Sequence, residues 1–142
     1  MTIKQLSVFI ENRKGRLGEV LAVLKEKHVS ILSMSLADTT EYGLLRLIVT
    51  DPEEGRQSLL DAGFSSMVTE VFVLKIPHRA GSLQEILSRV SARGINVEYM
   101  YGLSVAADDA SVVMKTSDLE GACRVLREAG IATMTMEELE AL

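Results

Sequence analysis

The stretch RKGRLGEVL at residues 13–21 recurs 66 residues later as RAGSLQEIL at residues 79–87, with five of nine positions identical. A second match, displaced by 67 residues, aligns DPEEGRQSLLDAG at residues 51–63 with DLEGACRVLREAG at residues 118–130. Similarity at a nearly constant period indicates an internal repeat. We therefore predict two copies of one module, copy one at residues 1–69 and copy two at residues 70–142.

The spacing of apolar residues changes in the same order in both copies. In copy one, Leu6, Val8 and Ile10 alternate as in a strand, whereas residues 17–24 have the spacing of an amphipathic helix. The rest of copy one predicts strands at 29–36 and 44–50, a hairpin region at Tyr42 and Gly43, a helix at 52–62 capped by Asp51, and a strand at 66–69. Copy two predicts strands at 71–76, 95–103, 110–116 and 132–136 and helices at 82–93 and 118–129.

This order, βαββαβ in each copy, is typical of the α+β ferredoxin-like arrangement, a four-stranded antiparallel sheet with both helices on one face. No Gly or Pro separates Met67 from Ile76. We therefore expect the two modules to lie side by side and to form an eight-stranded antiparallel sheet with the helices on one face.

The composition excludes several classes of function. Among 142 residues, 15 Lys and Arg stand against 20 Asp and Glu, and this net charge of -5 argues against nucleic acid as a partner. Three Phe, three Tyr and no Trp are too few for a base-stacking surface. Apolar runs such as residues 71–74 are too short to cross a membrane. With one cysteine and no secretory signal pattern, we expect a cytoplasmic protein.

Residues that carry chemistry are sparse. Cys123 is alone, and His28 and His78 occupy positions that do not match between the copies, so no metal-ligand spacing arises. No motif pairs a nucleophile with a base. We expect no catalytic residue, no metal and no cofactor. An enzyme with an unrecognised cleft and a structural subunit without ligand remain alternatives.

The segments that join the first strand to the first helix of each copy are better candidates for a binding site. We name residues 11–17, ENRKGRL, the first glycine loop and residues 77–83, PHRAGSL, the second glycine loop. A glycine before a helix permits close backbone approach, and the free amides of the first helical turn attract a carboxylate. The alternative is that Gly15 and Gly81 only form turns that Arg13 and Arg79 solvate.

At these residues the chain resembles the ACT domain, a small ligand-binding module of amino-acid metabolism. The resemblance rests on NRKGRL at residues 12–17 and GINV at residues 94–97, and it covers the whole chain as two modules. Lys14 and Ala80 stand where the family often has Pro, and Ser30 stands where copy two has Asn96. The resemblance implies a non-catalytic regulatory protein that binds a small amino acid and acts on an enzyme or transporter of amino-acid metabolism.

The resemblance also implies two ligand sites, each joining a glycine loop of one module to the start of the second strand of the other. Site A consists of Asn12, Arg13, Gly15, Arg16, Leu17, Asn96 and Val97. Site B consists of His78, Arg79, Gly81, Ser82, Leu83, Ser30 and Ile31. Because two side-chain amides offer donors and acceptors together, we expect site A to fit an amino acid better.

The pattern of the strands further predicts a homodimer. Ile48, Val73 and Val113 lie in strands whose neighbours are also apolar, so both sheet faces are expected to need cover from water. Two-fold dimers are the commonest way to bury such a surface. Alternatively, the C-terminal residues 137–142 cover part of the face.

Overall fold

The computed structural model describes residues 1–38, 41–105 and 107–142. The chain divides into two compact units. The N-terminal unit comprises Lys4–Thr69, and the C-terminal unit comprises Glu70–Leu142 together with Met1–Ile3.

The N-terminal unit contains two helices and a sheet in the order β2-β3-β1-β4. Its elements are β1 (Ile3–Glu11), α1 (Arg16–Glu26), β2 (Ile31–Asp38), β3 (Tyr42–Val49), α2 (Pro52–Asp61) and the first part of β4 (Ser65–Pro77). β3 pairs antiparallel with β1 on one side, with Leu6 opposite Leu47, and with β2 on the other, with Leu36 opposite Leu45.

The C-terminal unit repeats this arrangement, and the second part of β4 serves as its first strand. The remaining elements are α3 (Ser82–Ala92), β5 (Val97–Val105), β6 (Asp109–Thr116), α4 (Leu119–Glu128), β7 (Ala132–Thr133) and α5 (Met136–Glu140). β4 pairs antiparallel with β6, with Val73 opposite Val113, and with β7, with Leu74 opposite Thr133. β5 follows on the other side of β6.

Each unit has its own core, made by one face of its sheet and the apolar stripes of its two main helices. In the N-terminal unit alternate residues of β1 and β3 pack with α1 and α2, for example Leu6 and Leu47 with Leu24 and Leu59. The corresponding cluster of the C-terminal unit includes residues of β4, β6, α3 and α4. The predicted α+β modules with both helices on one sheet face are therefore confirmed within each unit.

Three details of the predicted elements are wrong. The described residues contain seven strands, because the strands predicted at 66–69 and 71–76 are one continuous strand, β4, with no turn-forming residue to interrupt it. Tyr42 and Gly43 belong to β3 and pair with β1, so they do not form the hairpin turn. The strand predicted at 132–136 ends at Thr133, because Thr135 caps α5 and accepts a hydrogen bond from the backbone N–H of Glu138 at 3.2 Å.

The burial of the strands changes the argument for a homodimer. Ile48, Val73 and Val113 are fully buried in the single chain and need no second chain to shield them. The large apolar side chains that stay exposed in strands of the N-terminal unit are Phe9, Met34, Leu36, Tyr42 and Met67. The homodimer itself stays a prediction, but the three residues that motivated it do not support it.

In the described part of the chain, no helix is both long and apolar enough to cross a membrane.

Candidate functional site

Both glycine loops place a glycine in the left-handed backbone region just before a helix. Gly15 precedes α1 with φ +89°, and Gly81 precedes α3 with φ +87°. A Cβ at either position would meet no atom within 4 Å, so the requirement for glycine comes from the backbone angle. The two copies have therefore kept the same turn at the same place.

The helices that follow these loops lack the side-chain caps found on the other three helices. Asp51 accepts a hydrogen bond from the N–H of Glu54 at 3.2 Å, and Asp118 accepts one from Gly121 at 3.0 Å. Thr135 does the same for α5. Gly15 and Gly81 provide no side-chain cap, so the first-turn amides of α1 and α3 are available to an anion.

Backbone hydrogen bonds hold the two loops in matching positions. Asn12 donates its backbone N–H to the carbonyl of Glu41 at 2.9 Å, and His78 donates to that of Asp108 at 3.1 Å. Each loop is thereby tied to the hairpin between the second and third strands of its own unit. The loops are anchored structures in which the direction of the amides is set before any ligand arrives.

The arginines of the first glycine loop are held by the protein itself. Arg13 forms an ion pair with Glu11, with Nε 2.8 Å from Oε2. Arg16 pairs with Glu19, and its guanidinium carbon lies 4.4 Å from the centre of the Phe64 ring. The Nε atom of Arg16 is buried without a hydrogen-bond partner. Arg16 thus closes the side of α1 next to Phe64, a role that the sequence did not reveal.

The second glycine loop differs at the matching position, which is Ser82. Ser82 is 4% exposed, and its Oγ has no hydrogen-bond partner among the described atoms. Arg79 forms a longer ion pair with Glu85, at 3.8 Å. The start of α3 is therefore built from small side chains where the start of α1 has a stacked arginine.

Ser30 and Asn96, which precede β2 and β5, also have matching environments. The Ser30 N–H donates to Thr50 Oγ1 at 3.0 Å, and its carbonyl accepts from the Thr50 N–H at 3.0 Å. The same two contacts join Asn96 to Ser117, at 3.0 and 2.9 Å. With these backbone groups already bonded, the exposed side chains are what each position offers to a ligand: a hydroxyl at Ser30 and an amide at Asn96.

The loop and the strand start of one unit lie too far apart to hold the same small ligand. The first glycine loop precedes α1, and Ser30 and Ile31 follow it. Because α1 has 11 residues, its ends are separated by about 16 Å. The same holds for the second glycine loop and Asn96, on either side of the 11-residue α3. A site that uses both kinds of segment therefore cannot come from one module alone.

Open grooves adjoin both parts of the predicted site B. One runs along an uncharged face of α3 and is lined by Arg79, Gly81, Leu83, Gln84, Leu87, Ser88 and Ser91. The other lies at the end of α1 and is lined by Leu21, Leu24, Lys25, His28, Val29, Ser30 and Ile31. Gln84 donates from Nε2 to Ser88 Oγ at 2.8 Å. The sequence analysis missed both residues, although their spacing of four already put them on one helix face.

Among the residues that the structure describes, no group of three His, Cys, Asp or Glu side chains is arranged to hold a metal ion.

A family model described as an ACT domain pair matches residues 1–142. The crystal structure of protein BT0572 from Bacteroides thetaiotaomicron is 34% identical, with a TM-score of 0.92 over 100% of this chain and 98% of that one. The ligand-free regulatory subunit of aspartate kinase from Thermus thermophilus is 16% identical, with a TM-score of 0.60 over 89% of this chain and 91% of that one. The Thermus flavus counterpart is 15% identical, with a TM-score of 0.63 over 89% and 92%. No curated protein matches the sequence.

Proposed function

This chain belongs to the ACT domain family as an ACT domain pair, and from that premise we propose that it binds a small amino acid and signals its presence to a partner protein. The observation that supports this most is the pair of matching glycine loops, whose helices begin without a side-chain cap. The N-terminal end of such a helix stabilises a negative charge. An amino acid supplies that charge through its α-carboxylate.

In this proposal the loops bind the carboxylate and the strand starts bind the ammonium. The loop groups are Asn12, Arg13, Gly15, Arg16 and Leu17 in site A and His78, Arg79, Gly81, Ser82 and Leu83 in site B. The strand-start groups are Asn96 and Val97 in site A and Ser30 and Ile31 in site B. The amide oxygen of Asn96 accepts a hydrogen bond from an ammonium better placed than the single hydroxyl of Ser30 allows. Site A is therefore the stronger site.

Regulation, without catalysis by this chain, is the proposed output. Two Thermus proteins of the same fold are named as regulatory subunits of aspartate kinase, which supports an enzyme of amino-acid metabolism as the partner. Ordinary allosteric coupling amounts to about 1–3 kcal/mol. We also propose that the two modules, residues 1–69 and 70–142, form a cytoplasmic homodimer and need no cofactor.

Thermal unfolding in the presence of each of the twenty amino acids tests the binding step. A ligand that binds only the folded protein at 100 times its Kd stabilises that protein by about 2.7 kcal/mol. We expect at least one L-amino acid at 10 mM to raise the Tm and its D-enantiomer to raise it less. If none of the twenty changes the Tm, the chain is a structural subunit and the proposal is wrong.

A further inference from the structure

Each unit leaves one long strand bonded on a single side. Among the ladders that the structure describes, β2 pairs with β3 alone and β5 pairs with β6 alone. β2 has eight residues and β5 has nine. The outer edges of these strands therefore present rows of backbone N–H and C=O groups that another strand can bond.

These edges lack the protection that solvent-exposed edges usually carry. Natural edge strands are commonly guarded by Lys, Pro or inward-pointing charges. The β2 sequence ILSMSLAD has no proline and no charged residue before Asp38. The β5 sequence VEYMYGLSV has one charge, Glu98, and that carboxylate is paired with Lys115 at 3.3 Å. Edges of this kind are typical of strands that are covered in the working assembly.

Apolar side chains adjoin the β2 edge. Met34 is 41% exposed and Leu36 is 47% exposed. Half-buried Leu17 and Leu21 lie on α1 of the same unit, one turn apart. Positions 66 residues later hold Leu83, Leu87 and Met100, which are also half-buried. Both units thus carry the same combination of an unprotected strand edge and an apolar stripe on the first helix.

The exposed residues beside these leucines are small or uncharged. Gly18 and Ala22 are exposed on α1, and Gln84 and Ser88 are exposed on α3. A helix surface without charges or bulky polar groups allows another helix to approach closely. The uncharged surface therefore extends from the strand edge onto the helix in each unit.

We propose that the β2 and β5 edges, with the adjoining faces of α1 and α3, form the interface with a second copy of this chain. The bonding groups of a strand edge require another strand as partner. The internal repeat gives the chain two edges of nearly equal length and similar side-chain pattern, which suits a self-complementary contact about a two-fold axis. The grooves along α3 and at the end of α1 border these surfaces, so the second copy closes them. This inference rests on the homodimer proposed above and names its surface.

Sedimentation equilibrium of the full chain with matched lysine variants tests the interface. We expect a wild-type mass of twice 15.5 kDa at micromolar concentration. The variant Met34→Lys/Leu36→Lys should be monomeric, with a dimer dissociation constant raised at least 100-fold. Met67→Lys is the control, because Met67 is 52% exposed on β4, away from the β2 edge. This variant should remain dimeric.

The outcomes separate the surface from the dimer and from ligand binding. A monomeric wild type would overturn both the surface and the homodimer, while a change of Tm with an amino acid would still support binding. Dissociation by Met67→Lys, with Met34→Lys/Leu36→Lys still dimeric, would overturn the edge interface alone. If the double variant does not fold, hydrogen exchange of the wild type decides. Amides of β2 should exchange at least tenfold faster on dilution below the dimer dissociation constant, and equal rates would contradict the proposal.

Discussion

Replacing His28 with glycine should stabilise the protein, although His28 makes up part of its surface. His28 follows α1 with φ +57° and is the one described non-glycine residue with positive φ. Gly94 occupies the matching position after α3, with φ +73°. The chain closes both helix ends in the same way, since Val29 bonds Leu24 at 2.9 Å and Ile95 bonds Val90 at 3.4 Å. The histidine therefore adopts a backbone conformation that glycine adopts more easily.

The size of the effect follows from two opposing contributions. The left-handed conformation costs an L-residue with a side chain about 1–2 kcal/mol. Glycine avoids that cost but loses about 0.5–1 kcal/mol more conformational entropy on folding. His28→Gly should therefore raise the free energy of unfolding by about 0.5–1 kcal/mol. Gly94→Ala, where no atom lies within 4 Å of the added Cβ, should lower it by a similar amount.

Urea unfolding followed by circular dichroism measures both variants. The midpoint concentration should rise for His28→Gly and fall for Gly94→Ala, while the slope m stays constant. Stability that falls in His28→Gly, or that rises in Gly94→Ala, would show that backbone strain does not govern these two positions.

Three further substitutions test the packing of single residues, each by the free energy of urea unfolding. Asp118→Ala should cost about 1 kcal/mol through loss of the α4 cap, and Asp118→Asn should retain most of it. Leu59→Ala should cost about 2–5 kcal/mol because Leu59 is fully buried, whereas its neighbour Leu60, 39% exposed, should cost less than half as much as alanine. Arg16→Ala should cost about 1 kcal/mol through loss of its contact with Phe64; no change would mean that this contact is not stabilising.

The order of elements could be predicted from the sequence because it depends on local signals. Alternation in β1, helical spacing in α1 and the cap at Asp51 are all short-range patterns, and the repeat made each visible twice. The missed helix α5 also has a local signal, since Thr135 and Glu138 form a capping box that the sequence displays. Reading residues 132–136 as a strand overlooked this signal.

Other features depend on contacts between distant residues and have no local pattern. The stacking of Arg16 on Phe64 joins residues 48 positions apart, and the burial of Ser82 depends on what packs around the start of α3. Likewise, alternation shows that Val73 and Val113 have apolar neighbours but does not show that the folded chain buries both. The glycine loops were predictable because a turn of that shape selects for glycine, which the sequence shows directly.

Isothermal titration calorimetry on matched glycine variants tests the central claim, that the glycine loops bind an amino acid, most directly. The double variant Gly15→Ala/Gly81→Ala places Cβ atoms at the two loop positions, and Gly63→Ala/Gly130→Ala places them at helix ends outside the loops. All four glycines have positive φ and open space around the added Cβ, so the two variants carry comparable backbone strain.

The wild type and the Gly63→Ala/Gly130→Ala control should bind the same L-amino acid with equal Kd. The Gly15→Ala/Gly81→Ala variant should bind it about tenfold or more weakly, since 1.4 kcal/mol of strain at the loops corresponds to a factor of ten in Kd. Equal affinity in all three proteins, or no binding of any amino acid to the wild type, would contradict the assignment of the glycine loops as the ligand site.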